Sequence, residues 1–400
     1  MLLNPRLVTL CRVSKAVQEF STRTLYRDLS FSEVSLLLKC CHTLIKRELS
    51  ANSVRSFRIE LNDLGHPLSA FYRILGDALH RLSRLQDLKI DHAAFGFQLV
   101  LNACHFPSLF HFRTRLRLNR PLSDFIHRHS STITGLYLDG KLLKHPSFLP
   151  RPVNLPQLTS FSGNPAFVRF LDTHKGKPTL HSIHFSTHEA LIMTDKEAFD
   201  VVNHLRVIGD ESLENVSMIG SAFSDPLPKY IAKYLKNVKV LGLIHLNVSD
   251  NEEPYVFSAE DLCEDIKLLL PELQQLERLV VNHVPFEECH PGLSMEKNHK
   301  FVTEFYSLCP KLEVVLLPND NEWHRTYLPG STLHLWLPDP LKDVALDDAL
   351  WLIDMLFTEG KKDPLSRTGK LVTSAAEKYL ELIHRRFNYG PSTMEARRTA

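Results

Sequence analysis

The chain has 400 residues, of which 44% are hydrophobic and 23% charged, with a formal net charge of +1. That is the composition of a folded protein, long enough for two or three domains or for one elongated repeat array. The charge balance supplies no global field to draw in nucleic acid or an anionic membrane, and no apolar run approaches the ~20 residues of a membrane span.

The N-terminus, "MLLNPRLVTLCRVSK", lacks a secretory layout, because Pro5 and Arg6 interrupt its apolar region. Seven cysteines (Cys11, Cys40, Cys41, Cys104, Cys263, Cys289 and Cys309) stand at irregular spacings with no C-x-x-C. This points to reduced thiols in an intracellular protein, cytoplasmic or nuclear, rather than a disulfide scaffold. Within residues 7–31, "LVTLCRVSKAVQEFSTRTLYRDLSF", Leu29 and Phe31 read as a strand.

From there one spacing recurs: apolar, two residues, apolar, one residue, apolar. Its copies begin with Val54-Phe57-Ile59, Leu85-Leu88-Ile90, Leu109-Phe112, Ile133-Leu136-Leu138 and Leu158-Phe161. They continue with Leu180-Ile183-Phe185, Leu213-Val216-Met218, Val238-Leu241-Leu243, Leu276-Leu279-Val281 and Leu312-Val315-Leu317. From position 85 the first residues step by 24, 24, 25, 22, 33, 25, 38 and 36. Pro107, Pro156, Pro178 and Pro310 each stand two residues before a copy. Each copy predicts a short strand with its alternating apolar side chains turned inward.

The returning segments are long enough for a helix. "PLSAFYRILGDALHRL" places Phe71, Ile74, Leu75, Ala78 and Leu82 on one face, and "SAEDLCEDIKLLLPEL" opens with Ser258 and acidic residues, as helix starts do. A strand and a helix cannot bury both apolar faces alone, so the units are expected to stack around a shared core. Near the end, "DDALWLIDMLF" puts Leu346, Leu350, Ile353 and Phe357 on one helical face, with Gly360 as a stop. A second helix aligns Val372, Ala376, Tyr379 and Ile383. Residues 339–390 thus read as a helical cap and 391–400 as a frayed tail.

Several motifs invite chemistry. "ITGLYLDGKL" (133–142) approaches a phosphate-binding loop, but Leu142 stands where the Mg²⁺-binding hydroxyl belongs, and Leu136, Tyr137 and Leu138 read as strand. Pro146, Pro150 and Pro152 then exclude the long helix such a loop requires. His181, His184 and His188 would share a face of a helix, but the repeat makes this a strand that splits His181 from His184. His127 and His129 are two ligands only, and Glu287-Glu288-Cys289-His290 are consecutive and do not converge on one ion. No catalytic residue, cofactor site or metal site is expected.

The repeat resembles leucine-rich repeats in the irregular, ribonuclease-inhibitor-like form. The resemblance implies an α/β solenoid, a horseshoe with a curved parallel sheet over residues 32–338 and helical caps at both ends. Residues 7–31 resemble the second half of an F-box, carried by Leu10, Val13, Ser14, Lys15, Phe20, Leu25, Tyr26 and Arg27. The Leu-Pro-x-Glu-Leu helix that usually opens that motif would lie before Met1, and Arg23 holds the place of a usual Pro. The chain is therefore similar to fungal-type F-box/leucine-rich-repeat proteins, with residues 1–31 an F-box-like remnant that also serves as the N-terminal cap, the start being truncated or misplaced.

That resemblance implies a substrate receptor of an SCF-type (cullin) ubiquitin ligase. Leu10, Val13, Ser14, Phe20, Leu25 and Tyr26 would meet a Skp-family linker protein. An unidentified target protein would lie on the concave strand face, where the register exposes Arg58, Lys89, Asp91, Arg113, Arg115, Tyr137, Asp139 and His184. Glu60, His111, Ser160, Ser162, Ser186, Ser217, Arg278 and Asn282 extend that row. The basic run "HFRTRLRLNR" is local and is not continued by later strands, so nucleic acid is not the expected partner. A repeat scaffold without a ubiquitin role and a cryptic hydrolase or metal enzyme remain as alternatives.

Overall fold

A computed structural model describes residues 15–61, 68–140, 150–172, 179–186, 193–209, 212–220, 226–246, 258–284, 294–318, 322–327, 334–338, 346–362 and 366–387. The fold is mixed α/β with mostly parallel strands. The chain divides into two compact units, Met1–Leu213 and Glu214–Ala400.

In the first unit seven strands lie side by side in sequence order: β1 (Asp28–Phe31), β2 (Ser56–Ile59), β3 (Asp87–Ile90), β4 (His111–Thr114), β5 (Gly135–Leu138), β6 (Ser160–Gly163) and β7 (Ser182–Ser186). Every neighbouring pair is parallel and in register. The register makes each apolar position of the repeat a ladder. Leu29, Phe57, Leu88, Phe112, Leu136, Phe161 and Ile183 lie opposite one another and are all buried. The leading residues Val54, Leu85, Leu109, Ile133, Leu158 and Leu180 are buried as well. Leu29 and Phe31 thus form a first rung of the same ladder, where the sequence alone places them in a separate N-terminal element.

The third ladder has two residues that break the apolar pattern, and each has a local reason. Thr114 is buried between Ile90 and Leu138, and its hydroxyl accepts a hydrogen bond from the Leu116 N–H at 3.0 Å. Gly163 has φ +132°, and a Cβ there would stand 1.8 Å from the Leu138 carbonyl oxygen. Only glycine fits a backbone that turns so close to its neighbour.

The backbone repeats as strictly as the side chains. The Arg27 carbonyl accepts from both Arg55 N–H and Ser56 N–H, that of Arg55 from Gln86 and Asp87, and that of Gln86 from Phe110 and His111. Phe110, Thr134 and Thr159 continue the pattern. Between the strands run α1 (Lys15–Leu25), α2 (Val34–Lys46), α3 (Glu48–Ser53), α4 (Ser69–Leu79), α5 (Gly96–Ala103), α6 (Arg120–Arg128), a 3₁₀ turn (Pro165–Phe170) and α7 (Asp195–Gly209). They cover the inner face of the strands: the Phe125 ring of α6 lies 5.0 Å from Phe112 of β4. In α4, Phe71, Leu75 and Ala78 are buried as the periodicity predicts, whereas Ile74 sits at the flank and is half-buried.

The second unit begins with β8 (Asn215–Gly220), β9 (Val240–Leu246), β10 (Arg278–Val284) and β11 (Val314–Leu316), parallel and consecutive. Val216, Leu241, Leu279 and Val315 make its buried ladder. Its helices are α8 (Leu227–Tyr234), α9 (Ala259–Lys267) and α10 (Met295–Leu308). Ser258 caps α9 as its position predicts, its Oγ accepting from Glu260 N–H at 3.1 Å. Then the direction reverses. β12 (Glu322–Tyr327) runs antiparallel to β11, and β13 (His334–Pro338) antiparallel to β12. The link from Leu316 to Glu322 is too short for the dozen or so residues of a parallel crossover.

Two helices follow, α11 (Leu346–Lys362) and α12 (Arg367–Phe387), packed against each other. Val372, Ala376, Tyr379 and Ile383 are buried as predicted, with Leu350 and Ile353 opposite in sequence pattern; Phe357 is only half-buried, since Leu352 and Leu356 take the covered face. Gly360 does not stop α11, which continues to Lys362. It is buried, and a Cβ there would stand 2.4 Å from Thr373 Oγ1 of α12. Its missing side chain lets the two helices approach. The Leu346 side chain and residues 391–400 lie outside the described residues.

Phe112 touches both its ladder and the Phe125 ring. Phe112→Ala is expected to lower unfolding free energy by about 3–5 kcal/mol, read by urea denaturation followed by circular dichroism.

Candidate functional site

In the first unit the strand residues between the buried positions point away from the helices. The register aligns Ser30, Arg58, Lys89, Arg113, Tyr137, Ser162 and His184 in one row across β1–β7. One step further along the strands stand Glu60, Asp91, Arg115 and Asp139, whose N–H groups donate to Phe31, Ile59, Ile90 and Thr114 carbonyls at 2.8, 2.8, 3.2 and 3.0 Å.

These side chains form a chain of alternating charge. The Lys89 ammonium pairs with Glu60 and lies 3.5 Å from Asp91 Oδ2. Arg115 Nε lies 2.9 Å from Asp91 Oδ1, an ion contact not aligned as a hydrogen bond, and 3.6 Å from Asp139 Oδ2. Asp139, with a side chain only 4% exposed, also accepts from the Tyr137 hydroxyl at 3.1 Å and from Ser186 Oγ at 3.2 Å. The Arg113 guanidinium carbon rests 4.1 Å from the centre of the Tyr137 ring. Half-exposed pairs of this kind contribute about 0–1 kcal/mol each. Their larger effect is to fix long side chains in one arrangement before anything binds.

Burial raises the Tyr137 hydroxyl above the usual range, with Asp139 reinforcing the shift. Burial also holds His184 below the usual histidine value, Arg113 adding to this and Asp139 opposing it. Around neutral pH the face therefore presents a neutral Tyr137 and a largely neutral His184, framed by fixed charges.

Of the eight residues expected on this face, Lys89, Asp91, Arg113, Arg115, Tyr137 and Asp139 join one contact network, and His184 stands in their row beside Arg113 and Asp139. Arg58 turns aside instead, with Nη2 3.9 Å from Asp87 Oδ2 and Nε donating to Ser56 Oγ at 3.2 Å. Ser186, expected to extend the row, joins the network through its hydrogen bond to Asp139. In the second unit Arg278 lies 3.3 Å from Glu322, and its register neighbours are the uncharged Val240 and Val314. The expected extension through Ser217 and Arg278 is therefore not a charged network.

The N-terminal candidates divide. Phe20 is 70% exposed on α1, while Leu25 and Tyr26 at its end are half-buried. Leu10, Val13 and Ser14 lie outside the described residues, as do His188, Cys11 and residues 287–290.

The other candidate motifs have structural explanations. Gly135 opens β5, where a Cβ would stand 2.6 Å from the His111 ring; at Gly140 it would stand 2.0 Å from the Leu116 carbonyl oxygen. Both glycines permit close stacking of units, and Lys141 and Leu142 lie outside the described residues. His181 and His184 are separated as expected: His181 is exposed, with Nδ1 3.0 Å from the Ser212 carbonyl. No group of three His, Cys, Asp or Glu among the described residues is placed to hold a metal. Cys40, Cys41, Cys104, Cys263 and Cys309 are free thiols, and burial pushes the first four up to about 12. No described helix is long and apolar enough to cross a membrane.

His129 is a core residue. It is buried, its Nε2 accepts from the Phe106 N–H at 2.8 Å, and its Nδ1–H donates to the Phe125 carbonyl at 2.8 Å. Those two partners fix the neutral tautomer.

No protein-family model matches this sequence, and no curated protein matches it.

Burial holds His129 down to about 4 in the folded chain, against 6.5 when free. The unfolded chain therefore takes up the proton first as pH falls. The stability this gives is complete above about pH 6.5 and is lost as pH drops toward 4, by about 2–3 kcal/mol. Denaturation midpoints of the parent and of His129→Gln across pH 7.5 to 4 are expected to converge as the pH falls.

Proposed function

We propose that this chain is a non-enzymatic protein-interaction scaffold, a leucine-rich-repeat solenoid of horseshoe form, that holds a target protein on its concave strand face, the outer face of β2–β7 that is turned away from the helices. The observation that carries this reading is the network joining Lys89, Asp91, Arg115, Asp139, Tyr137 and Arg113 across three adjacent strands, β3 to β5. Tyr and Arg side chains held rigid on neighbouring strands lose little freedom on binding, and residues of those types carry much of the energy at protein interfaces. The alternating signs favour a partner with complementary charges rather than a polyanion.

We further propose that the scaffold serves as substrate receptor of an SCF-type ubiquitin ligase. This part is supported by the resemblance of residues 7–31 to an F-box and by the exposure of Phe20 on α1. In that role the N-terminal helix would dock a Skp-family linker protein, and catalysis would lie in the partner enzymes. Holding the target near the transferring enzyme raises the effective concentration of its lysines.

Two measurements separate these parts. A pull-down with a purified Skp-family linker is expected to retain this chain, or a form extended upstream of Met1, and to lose it with Phe20→Asp; if neither form is retained, the ligase role is wrong and a scaffold without ubiquitin chemistry stands. Target capture followed by cross-linking is expected to place contacts at Arg113 and Tyr137. The Arg113→Ala/Tyr137→Ala pair should weaken capture at least about tenfold while linker binding is unchanged; unchanged capture would reject the outer face as the binding surface.

A further inference from the structure

A second surface lies at the opposite, leading end of the first strands. A groove of about 650 Å³ is lined by Phe20, Arg23, Thr24 and Arg27 of α1 and the turn after it, Leu49, Asn52 and Ser53 of α3, and Arg55, Arg84 and Gln86 before β2 and β3. Four of its ten lining residues are arginines and none is acidic. Arg23, Arg27 and Arg84 are exposed and make no ion pair among the described residues. Arg55, which also lines the groove, donates from Nη1 to the Asn52 and Val54 carbonyls at 2.9 and 3.0 Å, which holds its guanidinium in place.

The placement of these cations follows from the repeat. Arg27 and Arg55 hold equivalent positions, each supplying the carbonyl that accepts two N–H groups from the next unit. Stacking the units in register therefore stacks like charges. Burial lowers the Arg55 guanidinium, and Arg84 and Arg27 lower it further by repulsion. Such a cluster is unfavourable by itself and is relieved by an anion. The sequence of residues 1–14 carries Arg6 and Arg12 and no carboxylate, so it brings no counter-charge.

We propose that this groove binds a phosphorylated segment of a partner protein. Guanidinium groups offer planar pairs of donors that match phosphoryl oxygens, and Thr24, Asn52 and Gln86 add neutral hydrogen-bonding groups. Phe20 and Leu49, 70% and 39% exposed, supply an apolar rest for a side chain beside the phosphate. The charge does not extend into a track for nucleic acid: the equivalent positions in the following units are Phe110, Thr134 and Thr159. The site is independent of the outer face of β2–β7, but it shares Phe20 with the surface proposed for the linker protein, so the two occupants would exclude one another.

The test measures fluorescence anisotropy of a labelled peptide with one phosphoserine flanked by leucines, and of its unphosphorylated twin, on the full chain. The phosphopeptide is expected to bind at least about tenfold tighter than its twin. The Arg27→Gln/Arg84→Gln pair should lose that preference, and Arg113→Gln on the outer face should keep it. Equal binding of the two peptides, or an unchanged preference in the double variant, overturns the proposal. So does tighter binding of short oligothymidylate or of phosphatidylserine-containing vesicles than of the phosphopeptide. Should the double variant fail to fold, the parent decides: inorganic phosphate must raise its melting temperature above that in chloride at equal ionic strength, and no rise rejects the site.

Discussion

The leading carbonyl of each unit accepts two N–H groups from the next, and this shared hydrogen bond sets the rest of the molecule's order. Once Arg27 fixes Arg55 and Ser56, the position of β2 against β1 follows, and the same constraint passes from Arg55 to Gln86 and onward. A strand displaced by one residue would turn its apolar side chains to the wrong face. Register and core are thus one constraint: Phe57 meets Leu88, and Leu88 meets Phe112, because the backbone allows no other alignment. The glycines at 140 and 163 belong to it too, since each sits where the neighbouring unit's carbonyl approaches too closely for a Cβ.

The same regularity arranges the polar surface. Residues that share a repeat position are brought side by side whether or not their charges suit one another. On the outer face opposite charges from two neighbouring rows reach one another, and Glu60, Lys89, Asp91, Arg115 and Asp139 pair in turn. At the leading turns no carboxylate comes within reach among the described residues, and Arg27, Arg55 and Arg84 repel. One surface is satisfied within the chain and the other is not, although both come from the same stacking.

Much of this was legible in the sequence because the repeat writes its inward positions directly. All ten copies of the apolar spacing became strands, and residues such as Leu88, Leu136, Ile183 and Leu241 are buried on parallel neighbours as their spacing implies. Features that depend on a partner element were harder to read. Gly360 looks like a helix stop in isolation; only the approach of Thr373 reveals its packing role. The β12–β13 reversal carries no apolar triplet, and its cause is a short link rather than a pattern. The outer-face positions followed from alternation, but that Arg58 turns to Asp87 while Arg115 bridges two carboxylates is decided by side-chain reach. The arginine groove escaped notice because Arg23, Arg27, Arg55 and Arg84 are spread over some sixty positions and meet only when the leading turns are stacked.

The antiparallel pair at the end of the second unit bears on how such a chain can change in length. A duplicated strand–helix segment inserted between β8 and β11 would find evenly spaced donors and acceptors on both sides, as its parent did. The same segment appended after β13 would face an edge that runs the opposite way and is headed by Pro338 and buried Trp336. Gain or loss of repeats by unequal recombination is therefore tolerated in the interior and resisted at this terminus, so related chains of different length should differ in the number of parallel units while keeping the final hairpin.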